Sequence, residues 1–344
     1  MKCKNPNYIR IGLPDENGKY HPLFINGRNL VHYRAEKMIK DEDFIEVPCG
    51  NCIPCRLEYS RNWANRCYLE SLCHDHTWFI TLTYRDEELK FGEKGLPTLE
   101  NDALRKFMNK LRTKLGFNQN IRYFGCGEYG DAKGERAGFN PHYHIIVFGA
   151  PITDLTIDHP DMSKESIKGK YPIFRRNNKK GDPVYWSQTI YDCWKKGKIE
   201  IEEATWNCAA YVSRYVLKKV KGCGKIIYDR LGIVPEFIRM SNRPGIGAEY
   251  LLEHKDKLLD LDYLCVKNTK GVQTSHPPRY FEKLMNKDED SIEAAQMAAI
   301  KVIRVRNAKK RCEDSTSKKS LKQKQLDEAE IIENKTKVFT RDLN

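Results

Sequence analysis

Between residues 76 and 225 the spacing of apolar positions changes repeatedly, and each change marks an element. "WFITLTY" (78–84) is dense in β-branched and aromatic residues and predicts a strand. Next, Leu104, Phe107, Met108, Leu111 and Leu115 recur at three- and four-residue steps. That is the spacing of one helix face, and Gly116 stops it. "IRYFGCGEYG" (121–130) predicts a second strand. "DAKGERAGFN" carries the Gly, Asp and Asn of a turn. "HYHIIVFG" (142–149) then predicts a third strand, antiparallel to the second because the join is short and polar. A long insertion follows, including the basic loop "FRRNNKKGDP". The alternating "KIEIEEAT" (198–205) predicts a fourth strand. "NCAAYVSRYVLKKV" (207–220) has no breaker before Gly222 and predicts a helix. The order β-α-β-β-insertion-β-α gives an α+β fold, an antiparallel sheet with helices on one face.

The flanks read differently. Residues 1–75 hold half of the cysteines and show little periodicity, apart from a helical stretch, "CRLEYSRNWANRCYLE". Residues 226–344 are charged and mostly helical, with a Lys-rich tail from about 301 that reads as a solvated helix or disordered chain. Three regions result: a Cys-rich segment over 1–75, a central domain over 76–225 and a C-terminal region over 226–344.

Composition narrows the function. The chain has 344 residues, is 40% hydrophobic, and carries a formal net charge of +13. A basic folded protein of this size meets a polyanion, and nucleic acid is the commonest. No apolar run approaches a membrane span, and the first residues lack a signal-peptide core, so neither membrane insertion nor secretion is expected. Twelve cysteines in such a chain point to metal binding or reduced thiols rather than a disulfide scaffold.

Four constellations carry chemistry. His142 and His144 share one face of their strand, while Tyr143 takes the other. Such a pair is either two core histidines or two metal ligands. The hairpin sets Glu128 opposite them. Two imidazoles and a carboxylate with open positions suit Mg²⁺ or Mn²⁺ more than a closed zinc site, although zinc also accepts histidine. Tyr211 and Tyr215 lie one turn apart on one helix face. Tyrosine pairs ordinarily pack a core. Beside a metal-polarised phosphate they become nucleophiles, with Arg214 and Lys218 neutralising the phosphate charge. "CGNCIPC" supplies Cys49, Cys52 and Cys55, and Cys3 offers a fourth thiolate. The set reads as a structural Zn²⁺ site, an iron–sulfur site or reduced loop cysteines. Last, "RMSNRPGIG" (239–247) offers Arg239 and Arg243 beside a Pro-Gly turn as a DNA-contacting loop. Lys219 is a further candidate contact. His74 and His76 read as a surface turn pair.

Together these residues resemble the HUH endonucleases, the rolling-circle replication initiators. "FITLTY" is similar to their first motif, "HYHII" to their His-hydrophobe-His motif, and "YVSRYVLKK" to their two-tyrosine helix. "VPCGNCIPCR", "GEYG" before "PHYHIIVFG", and "RMSNRPGIG" resemble, in that order, the initiators of gokushovirus-type microviruses, the chlamydia phage-like group. The resemblance spans most of residues 1–250. It implies a five-stranded antiparallel sheet with flanking helices. It implies nicking and joining of single-stranded or supercoiled viral origin DNA in the host bacterial cytoplasm, through a 5′-phosphotyrosine and a free 3′-hydroxyl primer. Tyr211 and Tyr215 would alternate as nucleophiles, assisted by Lys218. Host polymerase and helicase are the implied partners, and no small-molecule substrate is. Arg214 departs from the lysine more usual there and suits an electrostatic role only. Two other readings compete: a non-catalytic nucleic-acid-binding regulator, and a water-using metal nuclease whose tyrosines stack on bases.

Overall fold

The computed structural model describes residues 3, 5–10, 16, 23–25, 44–116, 120–130, 140–157, 177–178, 181–218, 223–268, 271–288 and 291–313, with isolated positions at 323, 326–327 and 330–331. Two compact units emerge. One joins Met1–Tyr59 to Val305–Asn344, and the other is Ser60–Arg304.

In the first unit, β1 (Asn7–Arg10) pairs antiparallel with both β2 (Leu23–Ile25) and β3 (Phe44–Val47). Tyr8 and Ile25 are buried there. Helix α1 (Ile53–Ser71) begins in this unit, and its residues from Ser60 onward belong to the second.

The second unit is organised by β4 (Thr77–Thr83), the small β5–β6 ladder (Lys90–Phe91, Pro97–Thr98) and α2 (Ala103–Leu115). β7 (Arg122–Tyr129), β8 (Pro141–Phe148), α3 (Gln188–Trp194), β9 (Ile199–Glu203) and α4 (Trp206–Lys218) follow. After them come α5 (Cys223–Leu231), β10 (Phe237–Met240), α6 (Ala248–Glu253) and α7 (Lys255–Leu261). A hairpin of β11 (Leu264–Asn268) and β12 (Gly271–Ser275) precedes α8 (Arg279–Met285) and α9 (Ile292–Glu313).

The central sheet has five strands in the order β10-β7-β8-β4-β9, and every neighbouring pair is antiparallel. The α+β class and the antiparallel sheet match the sequence expectation. The placement of helices differs from it, because both faces are covered. Tyr143, Ile145 and Val147 pack with Leu104, Phe107, Met108 and Leu111 of α2 and with Ile190 and Trp194 of α3. On the reverse face, Phe79, Phe124, Ile146 and Phe148 pack with Ala64 and Cys67 of α1 and Ala209 and Val212 of α4. The two layers explain why β8 lacks polar alternation: all eight of its residues are buried.

The expected boundary at residue 225 falls inside the second unit, because β10 hydrogen-bonds along β7 as an edge strand of the sheet. The region beyond it is also less purely helical than its charge suggests. In β11, Leu264 and Val266 are buried while Cys265 and Lys267 are exposed, the two-residue period of a strand. They join Leu251, Leu259, Phe281 and Met297 in a separate core.

The turn after β10 is fixed by polar contacts. Gly247 N–H donates to Glu70 Oε2 at 2.6 Å, Arg122 Nη2 donates to the Pro244 carbonyl at 2.7 Å, and Arg66 Nε donates to the Ile246 carbonyl at 2.9 Å. Gly247 has φ +78°, where a Cβ would also meet the Arg66 carbonyl oxygen at 3.0 Å, so the position needs glycine. Glu70 and Arg122 form a buried ion pair beneath this turn. Burial alone would raise the Glu70 carboxyl; hydrogen bonds from His74 and Gly247 and the Arg122 charge reverse that and hold it low. His74 is therefore an interior partner of Glu70, at 3.4 Å, rather than a surface residue, whereas His76 is exposed.

Candidate metal centre

The sheet register builds this site. β7 and β8 pair Glu128 with His142, and Cys126 with His144. β4 then sets Thr83 beside His142 and Thr81 beside His144. Residues two apart share a face, so one side of three adjacent strands presents Glu128, His142, His144, Thr81 and Phe79.

Both imidazoles converge on one carboxylate oxygen. His142 Nε2 lies 2.7 Å and His144 Nε2 3.0 Å from Glu128 Oε1. The rings stand at 89° with centroids 4.9 Å apart. All three residues are buried. Each imidazole is also held from behind. His142 Nδ1 donates to the Asn140 carbonyl at 2.7 Å, and His144 Nδ1 shares a hydrogen bond with Thr81 Oγ1 at 3.0 Å. Phe79 stacks on His144 at 5.4 Å and 8°. This back-side bonding of the non-ligating nitrogen is the arrangement that orients metal-binding histidines.

The proton inventory tests whether a cation fits. A carbonyl oxygen only accepts, so His142 Nδ1 carries a proton. In the neutral ring Nε2 is then a lone pair, and it faces a carboxylate oxygen that also offers only lone pairs. Something positive must lie between them, either a second ring proton or a metal ion. Burial alone would raise the Glu128 carboxyl. Hydrogen bonds from His142 and His144 outweigh burial and bring it down to about 2, so it is ionised at neutral pH. Burial lowers His144, and Glu128 offsets this only in part, which favours the neutral, ligating imidazole. The three ligand atoms lie within 4.8 Å of one another, a group that could hold a metal ion.

Tyr211, on α4, reaches this group. Its hydroxyl is 3.5 Å from Glu128 Oε1, its ring meets His144 edge-on at 5.1 Å, and it is 36% exposed, so it sits at the rim. Arg214, Tyr215 and Lys218 lie further along the same helix. Their side chains, and Lys219, lie outside the described residues. Arg239 does not join the site. It pairs with Gly125, on the opposite face from Glu128, and its guanidinium lies 4.7 Å from the Phe237 ring. Arg243 is exposed in the turn after β10. In the first unit, Cys3, Cys49, Cys52 and Cys55 come together as a second group that could hold a metal.

Sequence reasoning missed Thr81 and Asn140. Thr81 follows Phe79 at a two-residue step, which places it on the right face, but only the β4–β8 register shows that this face meets His144. The Asn140 contact is made through the backbone, so its side-chain identity carries no signal. On β9, Glu200 pairs with Thr81 and is bound by Lys198 Nζ at 2.5 Å, adding two charges on the same face.

Comparison with known proteins bears on this region directly. The family model for the ORF2-type replication-associated protein matches residues 77–220, which run from the start of β4 past the end of α4. Replication-associated protein ORF2 of Spiroplasma virus 4 is 34% identical over 247 residues, covering 70% of this chain and 68% of that protein. Replication-associated protein VP4 of Bdellovibrio phage phiMH2K is 30% identical over 266 residues, covering 76% and 75% respectively. Replication-associated protein ORF4 of Chlamydia phage 1 is 28% identical over 251 residues, covering 71% of this chain and 55% of that protein. No solved structure matches the chain. Among the described residues no helix is long and apolar enough to cross a membrane.

Proposed function

The chain belongs to the microvirus replication-associated proteins of the ORF2 type, and from that premise we propose that it initiates viral DNA replication by nicking and rejoining single-stranded origin DNA through a tyrosine nucleophile. The observation that carries this reading is the Tyr211 hydroxyl, 3.5 Å from the carboxylate oxygen that both histidines address.

Glu128, His142 and His144 would hold Mg²⁺ or Mn²⁺. When bound, the ion polarises the scissile phosphate and neutralises charge developing on it. Tyr211 Oη forms a bond to phosphorus and releases its proton to water. The bond from phosphorus to the 3′ oxygen breaks, and that oxygen takes up a proton. The products are a 5′-phosphotyrosine and a free 3′-hydroxyl that primes synthesis. Tyr215, one turn along α4, attacks the regenerated site after one circuit, and the new 3′-hydroxyl resolves the first linkage. Arg214 and Lys218 stabilise phosphate charge. Lys219, Arg239 and Arg243 contribute backbone contacts to DNA. The reaction takes place in the host cytoplasm, with host polymerase and helicase as partners.

Covalency tests this. Purified protein is mixed with labelled single-stranded origin DNA and Mn²⁺, denatured and resolved on a gel, with Tyr211→Phe, Tyr215→Phe and the double variant alongside. A denaturation-resistant adduct that is absent from the double variant is expected. Cleavage without any adduct would assign the attack to water. Binding without cleavage, across viral fragments and metals, would leave a DNA-binding regulator.

A further inference from the structure

We propose that Cys3, Cys49, Cys52 and Cys55 form a closed, mononuclear tetrathiolate zinc site, separate in residues and chemistry from the Glu-His-His centre. The four sulfurs lie within 4.8 Å of one another. Cys3 Sγ and Cys52 Sγ are 3.8 Å apart. A disulfide requires about 2.05 Å, and all four residues are free cysteines. A Zn–S bond of about 2.3 Å sets the edge of a tetrahedron at about 3.8 Å. A cluster with several irons and bridging sulfides holds its thiolates further apart than one ion does, so the compact quartet fits a single metal.

The backbone is arranged for thiolates as well. Asn51 N–H and Cys52 N–H both donate to Cys49 Sγ, at 3.4 and 3.3 Å, and Cys49 N–H donates to Cys3 Sγ at 3.3 Å. These donors favour the charged sulfur. The turn that aims two amides at one sulfur passes through Gly50 at φ +71°, a conformation side chains rarely adopt, although a Cβ there would meet nothing within 4 Å. Cys52 and Cys55 flank the start of α1, whose amide end also favours negative charge.

Topology explains how Cys3 arrives. The β1–β3 ladder pairs Asn7 with Val47. Cys3, just before β1, and Cys49, just after β3, therefore emerge at the same end of the ladder. As each Zn–S bond forms, a thiol gives its proton to water, and the ion closes the 46-residue separation between Cys3 and Cys49. The buried positions described in this unit are Cys3, Tyr8, Ile25 and Pro54, an interior small enough for a metal to matter to its stability.

The test uses the full chain, purified without added metal and dialysed against EDTA. Elemental analysis is expected to find one zinc per chain, released by a thiol-blocking mercurial and detected with a chromogenic chelator. Cys52→Ser is expected to lose that zinc, and His142→Ala to keep it. Because Cys52→Ser also risks misfolding, the wild-type chain is reconstituted with Co²⁺, and the intense sulfur-to-cobalt and tetrahedral d–d absorption of a tetrathiolate is expected. Iron with visible charge-transfer bands would overturn the zinc assignment. Zinc lost in His142→Ala but kept in Cys52→Ser would place it at the other centre. A metal-free chain whose four thiols react freely with a disulfide reagent, and which gives no tetrathiolate cobalt spectrum, would overturn the site altogether.

Discussion

Glu128, His142 and His144 come from two strands, and Thr81 from a third supports them. Cys49, Cys52 and Cys55 lie within seven consecutive residues, and only Cys3 comes from afar. The first group depends on a sheet buried on both faces, where a one-residue slip would turn every ligand to the wrong side. The second depends on one turn, one glycine and a short ladder. Their chemistry follows the same division. Nitrogen and oxygen donors at a rim tyrosine leave coordination positions open for a substrate, whereas four sulfurs leave none. One chain thus has an arrangement for exchange and an arrangement for retention, and the difference can be read from ligand type before any activity is measured.

The strongest test of that division is His144→Ala. It is expected to reduce nicking by about 10³-fold or more while leaving most DNA binding and the thiolate-held zinc. Parallel gel-shift, cleavage and elemental assays check this, and loss of zinc together with cleavage would collapse the two centres into one. Next in size is Glu70→Gln, which strands buried Arg122. It should cost about 3–5 kcal/mol of unfolding free energy in denaturant melts. Its pH signature has a definite sign. Glu70 is held below its ordinary value when folded, so the unfolded chain takes up the proton first. The pair's contribution is complete above the ordinary carboxylate range and is lost as pH falls through the lower folded value. The variant should lack that part of the acid slope. The smallest expected effect is the sharpest for the site itself. Thr81→Val removes the hydroxyl behind His144 at nearly constant volume and should weaken Mn²⁺ binding about 10–100-fold, followed by the Mn²⁺ resonance signal.

Much of this was legible in the sequence for physical reasons. Leu104, Phe107, Met108 and Leu111 repeat at helical spacing because one face of α2 is buried. His142 and His144 share a face because strands alternate, and the short polar join brings Glu128 opposite them. What was not legible depends on long-range pairing. β10 is four residues long, and its partner β7 lies more than a hundred residues earlier. The second helix layer was hidden because a doubly buried strand loses the alternation that would have exposed it. Thr81 and the Asn140 carbonyl act through register and backbone, which leave no trace in residue type.

The burial of β8 along its whole length has a consequence on the clock of local opening. A strand with hydrogen-bonded neighbours on both edges and apolar layers on both faces has no local route to solvent. Its amides should be among the last to exchange in deuterated water, so the two imidazoles share the lifetime of the whole fold. Tyr211 is carried by a different element, at the rim. A DNA end attached to it would be tethered to a helix, while the cage that received the phosphate stays fixed in the slowest-exchanging part of the molecule.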